Sequence, residues 1–306
     1  MGNKPSKHKH YEDTTLKSNC TASQRSSQSV TLDGRQYHNV SNSSYFMPRD
    51  EAEQDRLNSQ HFSIKAVFGG NIMPQVLENL PTNAKILDIG CGSGSWVMEV
   101  AIDHPSAQVI GVDMADMFPM TIRPENVRFQ LHNVLEGLPY EDASFDFVHM
   151  RLMLGALRTN EWPEVLIEID RVLKPGGSVQ LVEGDFTETS QSPLIEKVIT
   201  AFHNAMYERD QDPWIASKLK TLLEQLSYEA IHVETRKFDY SKPEDPIAQE
   251  MLWNWRNTLR TLRPALSHRL VRHPDEFNDL VDEYIADCTR FGWYAQMWSY
   301  CARKPT

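Results

Sequence analysis

At 306 residues, with a net charge of −11 and a pI near 5.5, the chain is long enough to bury the core of one large domain with additions. Its acidity argues against broad nucleic-acid binding through a basic face, so no nucleic-acid partner is expected. The four cysteines, Cys20, Cys91, Cys288 and Cys301, are widely separated, which fits neither a disulfide framework nor a metal site and points to a reducing, cytoplasmic setting.

The chain opens on a basic tail. Residues 1–36 carry Lys4, Lys7, Lys9, Lys17, Arg25 and Arg35 against Glu12, Asp13 and Asp33, a net +3. Rich in Ser, Thr, Gln and Asn, the tail offers too little apolar surface to offset its ordering entropy, so residues 1–36 are expected to be disordered, with no fold before about Tyr37. Met1-Gly2-Asn3-Lys4-Pro5-Ser6 matches the N-myristoylation pattern once Met1 is removed. One myristoyl chain binds bilayers marginally, and Lys4, Lys7 and Lys9 near an anionic leaflet add about 1 kcal/mol each, so the two signals together predict reversible attachment to a membrane surface. No apolar run approaches the roughly 20 residues that span a bilayer, and the first residues lack a signal peptide's apolar stretch.

From Lys85 onward, short apolar strands alternate with amphipathic helices, the pattern of a parallel sheet covered on both faces. Strands are predicted at Lys85–Ile89, Gln108–Asp113, Val127–Leu131, Phe145–Met150 and Ser178–Glu183, and helices at Ser95–Asp103 and Glu161–Leu173. Lys174-Pro175-Gly176-Gly177 ends the second helix, because Pro cannot continue it and Gly permits a turn. The later chain is more helical, at Pro193–Glu208, Trp214–Leu226, Asp245–Leu262 and Asp275–Thr289. Two β-like runs, Ala230–Tyr240 and Trp293–Ala302, are expected to pair at the sheet edge.

Ile86-Leu87-Asp88-Ile89-Gly90-Cys91-Gly92-Ser93-Gly94 is a buried strand running into a glycine turn and then a helix. Glycines let a ligand approach the backbone, and the helix start offers unpaired N–H groups. The dinucleotide fingerprint would place its third glycine at Ser95, one residue later than Gly94, which disfavours a nicotinamide dehydrogenase. Asp88 favours a cationic amino-acid end over a pyrophosphate, which a carboxylate repels. Asp113 closes the second strand about 20 residues beyond the turn, where an acid accepts both hydroxyls of a ribose, and Met114 can lie against an adenine face.

This combination resembles the class I S-adenosylmethionine-dependent methyltransferases over about Tyr37 to Pro305. Phe145-Asp146-Phe147-Val148-His149 resembles the family's fourth strand, Arg171-Val-Leu-Lys-Pro-Gly-Gly177 its turn before the fifth, and Glu125–Pro139 its third strand with the adenine-contacting end. There the family commonly has an Asp where this chain has Asn133, whose amide oxygen still accepts a hydrogen bond. Tyr45–His61 resembles the N-terminal cap of a fungal subgroup related to the methyltransferase-like secondary-metabolism regulator of the velvet complex; the resemblance implies that this helix folds over the cofactor. The implied architecture is an α/β Rossmann-like sheet of seven mostly parallel strands with helices on both faces, an antiparallel last strand, a helical cap (37–80), a cofactor-binding core (81–190) and substrate-side helices with closing strands (191–306).

The implied cofactor is S-adenosyl-L-methionine, held by Asp88, Gly90, Cys91, Gly92, Gly94, Asp113, Met114, Asn133, Val134, Met150 and Arg151. Methyl transfer from a sulfonium needs alignment more than a base. Where the acceptor carries a proton, His149, Glu183 and Asp185 near the ends of strands four and five are the candidate bases, while Arg151 is a candidate for orienting an anion. Trp253, Trp255, Phe202 and Met206 are candidates for a roof over the acceptor. The expected activity is methyl transfer to an oxygen or nitrogen of a small molecule; the alternative is a cofactor-binding regulatory protein that acts through protein partners.

Overall fold

The computed structural model describes residues 29–32, 34–38, 44–187 and 189–306. In chain order these form β1 (Ser29–Leu32), β2 (Arg35–His38), α1 (Glu51–Phe68), α2 (Pro74–Leu77), β3 (Lys85–Ile89), α3 (Ser95–Asp103), β4 (Gln108–Asp113), β5 (Val127–Leu131), β6 (Phe145–Arg151), α4 (Glu161–Val172), β7 (Leu173–Asp185), α5 (Pro193–Tyr207), α6 (Ile215–Gln225), β8 (Glu229–Asp239), α7 (Pro246–Thr261), α8 (Arg263–Leu270), α9 (Phe277–Phe291) and β9 (Tyr294–Arg303). Strands β3 to β9 make one seven-stranded sheet in the order β5-β4-β3-β6-β7-β9-β8. All neighbouring pairs from β5 to β7 are parallel, and β9 runs antiparallel to both β7 and β8.

Strand alternation splits the interior into two apolar layers. Leu87, Ile89, Ile110, Val112, Val148, Met150, Val179 and Leu181 face the larger layer, where α4 contributes Trp162, Val165, Leu166 and Ile169. Ile86, Val109, Val127 and Phe147 face the other, covered by Trp96, Val97, Val100 and Ala101 of α3. Each central strand is therefore apolar on both faces, which explains its near-continuous hydrophobic run. The expected architecture, including helices on both faces and the antiparallel last strand, is the observed one.

Most element ends shift by a residue or two from expectation, and three differences bear on the fold. The β1–β2 hairpin, with Ser29 paired to His38 and Leu32 to Arg35, lies partly within the tail expected to have no fold before about Tyr37; the two strands pair along their backbones, with Val30 and Thr31 exposed. Strand β7 begins at Leu173, five residues before the expected Ser178, and takes in Lys174–Gly177 across an irregular pairing with β6. Its start is pinned by the C-terminus, where Gly176 N donates to Lys304 O at 3.1 Å. Helix α9 runs to Phe291 instead of Thr289 and ends on Gly292 in the left-handed region. Gly2, Lys4, Lys7, Lys9 and Cys20 lie outside the described residues, among which no helix is long and apolar enough to cross a membrane.

Candidate active site

The carboxyl ends of β3, β4, β5 and β6 open into a cavity of about 540 Å³, closed on its far side by the cap and by α7. Its floor is the turn between β3 and α3. Gly90 and Gly92 hold φ of +71° and +53°, a region that costs other residues about 1–2 kcal/mol. Both Gly90 N and Cys91 N donate to Val112 O, at 2.8 and 3.1 Å, so the end of β4 fixes the turn. The Asp113 carboxylate completes this anchor: Oδ2 accepts from Gly92 N and Oδ1 from Ala115 N, each at 2.8 Å. Burial outweighs these bonds and pushes its pKa up to about 6.

Beside Asp113, Met114 lines the cavity, followed by Asn133 and Val134 from the end of β5. Asn133 Oδ1 accepts from Leu135 N at 3.1 Å, capping the short 3₁₀ turn Val134–Glu136. From the end of β6, Arg151 reaches the cavity and Leu152 follows with a φ of +54°. The next two backbone amides, Met153 N and Leu154 N, donate to Oε1 and Oε2 of Glu183 at 2.7 and 3.3 Å.

The cap supplies the opposite wall. Asp50 caps α1 by accepting from Glu53 N, and Arg56, Leu57 and Gln60 then point one helical face at the cavity. Arg56 is buried against Glu53, with Nη2–Oε1 at 2.6 Å, and its Nη1 donates to Asn254 Oδ1 at 3.0 Å, which docks α1 on α7. Arg49 and Asp116 form an ion pair between the cap and the segment after β4. Beyond the cap the cavity turns apolar and aromatic. Phe186 stacks on Trp255 at 4.8 Å, Phe202 meets both edge-on, and Met251 and Met297 complete this lobe. Trp255 is oriented by its Nε1–H bond to the Tyr284 hydroxyl at 2.9 Å.

The structure thus gathers Gly90, Cys91, Gly92, Asp113, Met114, Asn133, Val134 and Arg151 around one cavity, and it corrects the other assignments. Asp88 and His149 are register partners on β3 and β6, and both point to the face covered by α3. His149 Nδ1 lies 2.7 Å from Asp88 Oδ1, its ring stacks on Trp96 at 4.1 Å, and the two residues are 1% and 2% exposed. Burial lowers the histidine's pKa, so the neutral ring donates to the carboxylate. This is a sealed core pair: Asp88 does not reach an amino group in the cavity, and His149 is no base there.

Gly94 serves packing, since a Cβ there would stand 2.6 Å from Phe129 Cζ. Met150 is a fully buried core residue. Glu183 is spent on the two amides beneath the cavity wall, and burial pushes its pKa up to about 8. Asp185, also raised by burial, sits beside the lobe without lining it. Of the proposed roof, Phe202 and Trp255 line the cavity, whereas Met206 is buried elsewhere and Trp253 is 45% exposed on the outer face of α7. Sequence reasoning missed Phe186, Met251, Met297 and His61, which come from distant segments with no shared spacing. Among the described residues no cluster of His, Cys, Asp and Glu could hold a metal ion.

A methyltransferase-domain family model matches residues 86–177, spanning the glycine turn, the Asp113 strand end and the start of β7. The methyltransferase str2 of Strobilurus tenacellus is 35% identical over 210 residues, which is 67% of this chain and 73% of that protein. The secondary metabolism regulator laeA of Coprinopsis cinerea is 28% identical over 298 residues, 89% of this chain and 73% of that protein. The protein-methionine methyltransferase laeA of Emericella nidulans is 37% identical over 157 residues, 50% of this chain and 40% of that protein. A solved phosphoethanolamine N-methyltransferase of Haemonchus contortus in complex with S-adenosyl-L-methionine shares 18% identity over 89% of this chain and 62% of that chain, at a TM-score of 0.48. With str2 matched at this identity over most of its length, the chain belongs to the class I S-adenosylmethionine-dependent methyltransferase family, and it is similar over most of its own length to the fungal regulator laeA.

Proposed function

We propose that the cavity binds S-adenosyl-L-methionine and that the protein transfers its methyl group to a largely apolar small-molecule acceptor, through an oxygen or nitrogen. The observation that carries this reading is the single cavity that joins the Gly90–Gly92 turn, Asp113 and Asn133–Val134 to an aromatic lobe. Asp113 accepts the ribose hydroxyls on the lone pairs its two backbone bonds leave free. Met114 lies against one face of the adenine, and Asn133 with the Val134 backbone meets its edge. Arg151 receives the carboxylate of the methionyl end. When bound, the cofactor supplies a methyl group on a positively charged sulfur.

The protein's share of the chemistry is to align the acceptor and exclude water. The Phe186–Trp255 stack and the edge of Phe202 offer broad, fixed apolar surfaces suited to a flat or aliphatic acceptor. Incubating the purified protein and S-adenosylmethionine with a metabolite extract tests the reading: a methylated product dependent on both is expected, and none forms if the reading is wrong.

A second reading is favoured by the similarity to the Coprinopsis regulator across most of the chain. In it, the fold binds the cofactor and acts through protein partners. Six methionines, Met47, Met114, Met117, Met153, Met251 and Met297, line the cavity, so a protein-borne acceptor belongs to this reading. Intact mass after incubation with cofactor alone, and capture of partners by the tagged protein, separate it from the first. Attachment to membranes through Gly2 and its lysines, from the cytoplasmic side, is a further proposal; the intact mass of protein made in a eukaryotic host tests it.

A further inference from the structure

We infer that His61, on the cap helix, is a positioning residue that holds the Arg151 guanidinium in place for the carboxylate of the bound cofactor, so that the cap and the methionyl end are coupled through one imidazole. The inference rests on the proposed cofactor site and names a residue that acts on it from the second layer.

Arg151 reaches the cavity from the end of β6; Asp88 and Glu99 act on its charge through space, but among the described residues it makes no direct ion pair. Its Nη2 lies 2.9 Å from His61 Nδ1. A guanidinium has only donors and does not lose its charge in a protein, so His61 Nδ1 must accept, which places the ring proton on Nε2. That nitrogen lies 2.7 Å from Glu99 Oε2, the acceptor the assignment requires. Glu99 is held in turn: Lys65 Nζ donates to Oε1 at 2.8 Å and Asn71 Nδ2 to Oε2 at 3.0 Å.

The arrangement is a directed chain, Arg151 to His61 to Glu99, running from the cavity through α1 to α3. His61 is fully buried. Burial and the neighbouring Arg151 drive its pKa down to about 4, so the ring stays neutral and its acceptor stays aimed at the guanidinium at neutral pH. One of the five guanidinium N–H groups is used by His61, leaving donors for the cavity. A partly buried cation with no direct ion pair gains from an anion that can contact it, and S-adenosylmethionine carries a single anionic group, its carboxylate. The same helix places Leu57 and Gln60 on the cavity wall, so the residue that orients Arg151 moves only with the cap.

The test compares two ligands by calorimetry on the full chain. S-adenosylhomocysteine has the carboxylate, whereas 5′-methylthioadenosine shares the nucleoside and thioether but lacks it. His61→Leu is expected to weaken S-adenosylhomocysteine roughly tenfold or more and to leave 5′-methylthioadenosine unchanged. His61→Asn, which keeps an acceptor near the Nδ1 position, should recover part of the loss. In an Arg151→Met background, His61→Leu should have no further effect, the mark of two residues acting as one unit. Glu99→Met, which removes the acceptor at the partly exposed end of the chain, gives the same selective loss if His61→Leu fails to fold. Equal weakening of both ligands, unchanged S-adenosylhomocysteine affinity in both the His61 and Glu99 variants, or full additivity with Arg151→Met overturns the inference. If the unaltered protein binds neither ligand, the cofactor site itself is refuted, and the inference with it.

Discussion

Replacing Asp113 by Asn tests the site at its most informative atom pair. The carboxylate accepts Gly92 N and Ala115 N at 2.8 Å each, and in the proposed complex it accepts the ribose hydroxyls as well. Asn keeps the shape but removes the charge and turns an N–H₂ toward one of those donors. Loss of charge-assisted bonds to the ribose, each about 1.5–3 kcal/mol and partly replaced by water, gives an expected weakening of about 1–3 kcal/mol, or roughly 5- to 150-fold. A second signature follows from the raised pKa of about 6. A ligand that donates hydroxyl protons prefers the ionised carboxylate, so affinity is full above pH 6 and declines as pH falls through it, to roughly one tenth of the plateau at pH 5. Asn cannot ionise, so its weaker affinity should stay level from pH 5 to 7.5. Calorimetric titration with S-adenosylhomocysteine at several pH values, with thermal melts to confirm folding, measures both. Equal affinity in the two proteins, or the same pH dependence in both, refutes the reasoning.

Other sites give distinct outcomes. His149→Leu leaves the buried Asp88 carboxylate without its imidazole donor, so stability should fall by about 2–3 kcal/mol while cofactor affinity holds; a loss of affinity with unchanged melting would restore His149 to the site. For Glu183, the folded pKa of about 8 exceeds the unfolded value near 4.3, so the folded state holds the extra proton between them and stability drops as pH rises across that window, by up to about 1.4 kcal/mol per unit. Glu183→Gln removes that slope, and melts at pH 5 and pH 8 should then differ less than in the unaltered protein; an equal difference rejects the assignment. Gly94→Ala drives a Cβ into Phe129 and adds left-handed strain, so it should cost several kcal/mol of stability by denaturant titration, and a neutral effect contradicts the packing role.

The strands from β3 to β6 were legible because a strand buried on both faces reads as an unbroken apolar run, and the glycines mark where it must turn. The glycine turn and Asp113 were legible together because their spacing is fixed by one β-α-β unit. Pleat parity was not. Asp88 and His149 have suitable chemistry and lie near the strand ends, yet each falls one alternation away from the cavity, on the α3 side. The β1–β2 hairpin was hidden by a composition poor in apolar residues, since backbone pairing leaves no hydrophobic signal. The aromatic lobe joins Phe186, Phe202, Trp255 and Met297, which lie on β7's end, α5, α7 and β9, and no local periodicity links them. His61 was masked in a helix that reads only as amphipathic; its role appears once α1 is docked between Arg151 and Glu99.

The central claim is that the glycine turn and Asp113 form a pocket for a sulfonium nucleoside. Titration of the purified protein with S-adenosylmethionine and, separately, with NAD tests it most directly. Saturable one-to-one heat with the first and none with the second is expected. Uptake of NAD, or no heat with S-adenosylmethionine at millimolar concentration by a protein that melts cooperatively, contradicts it.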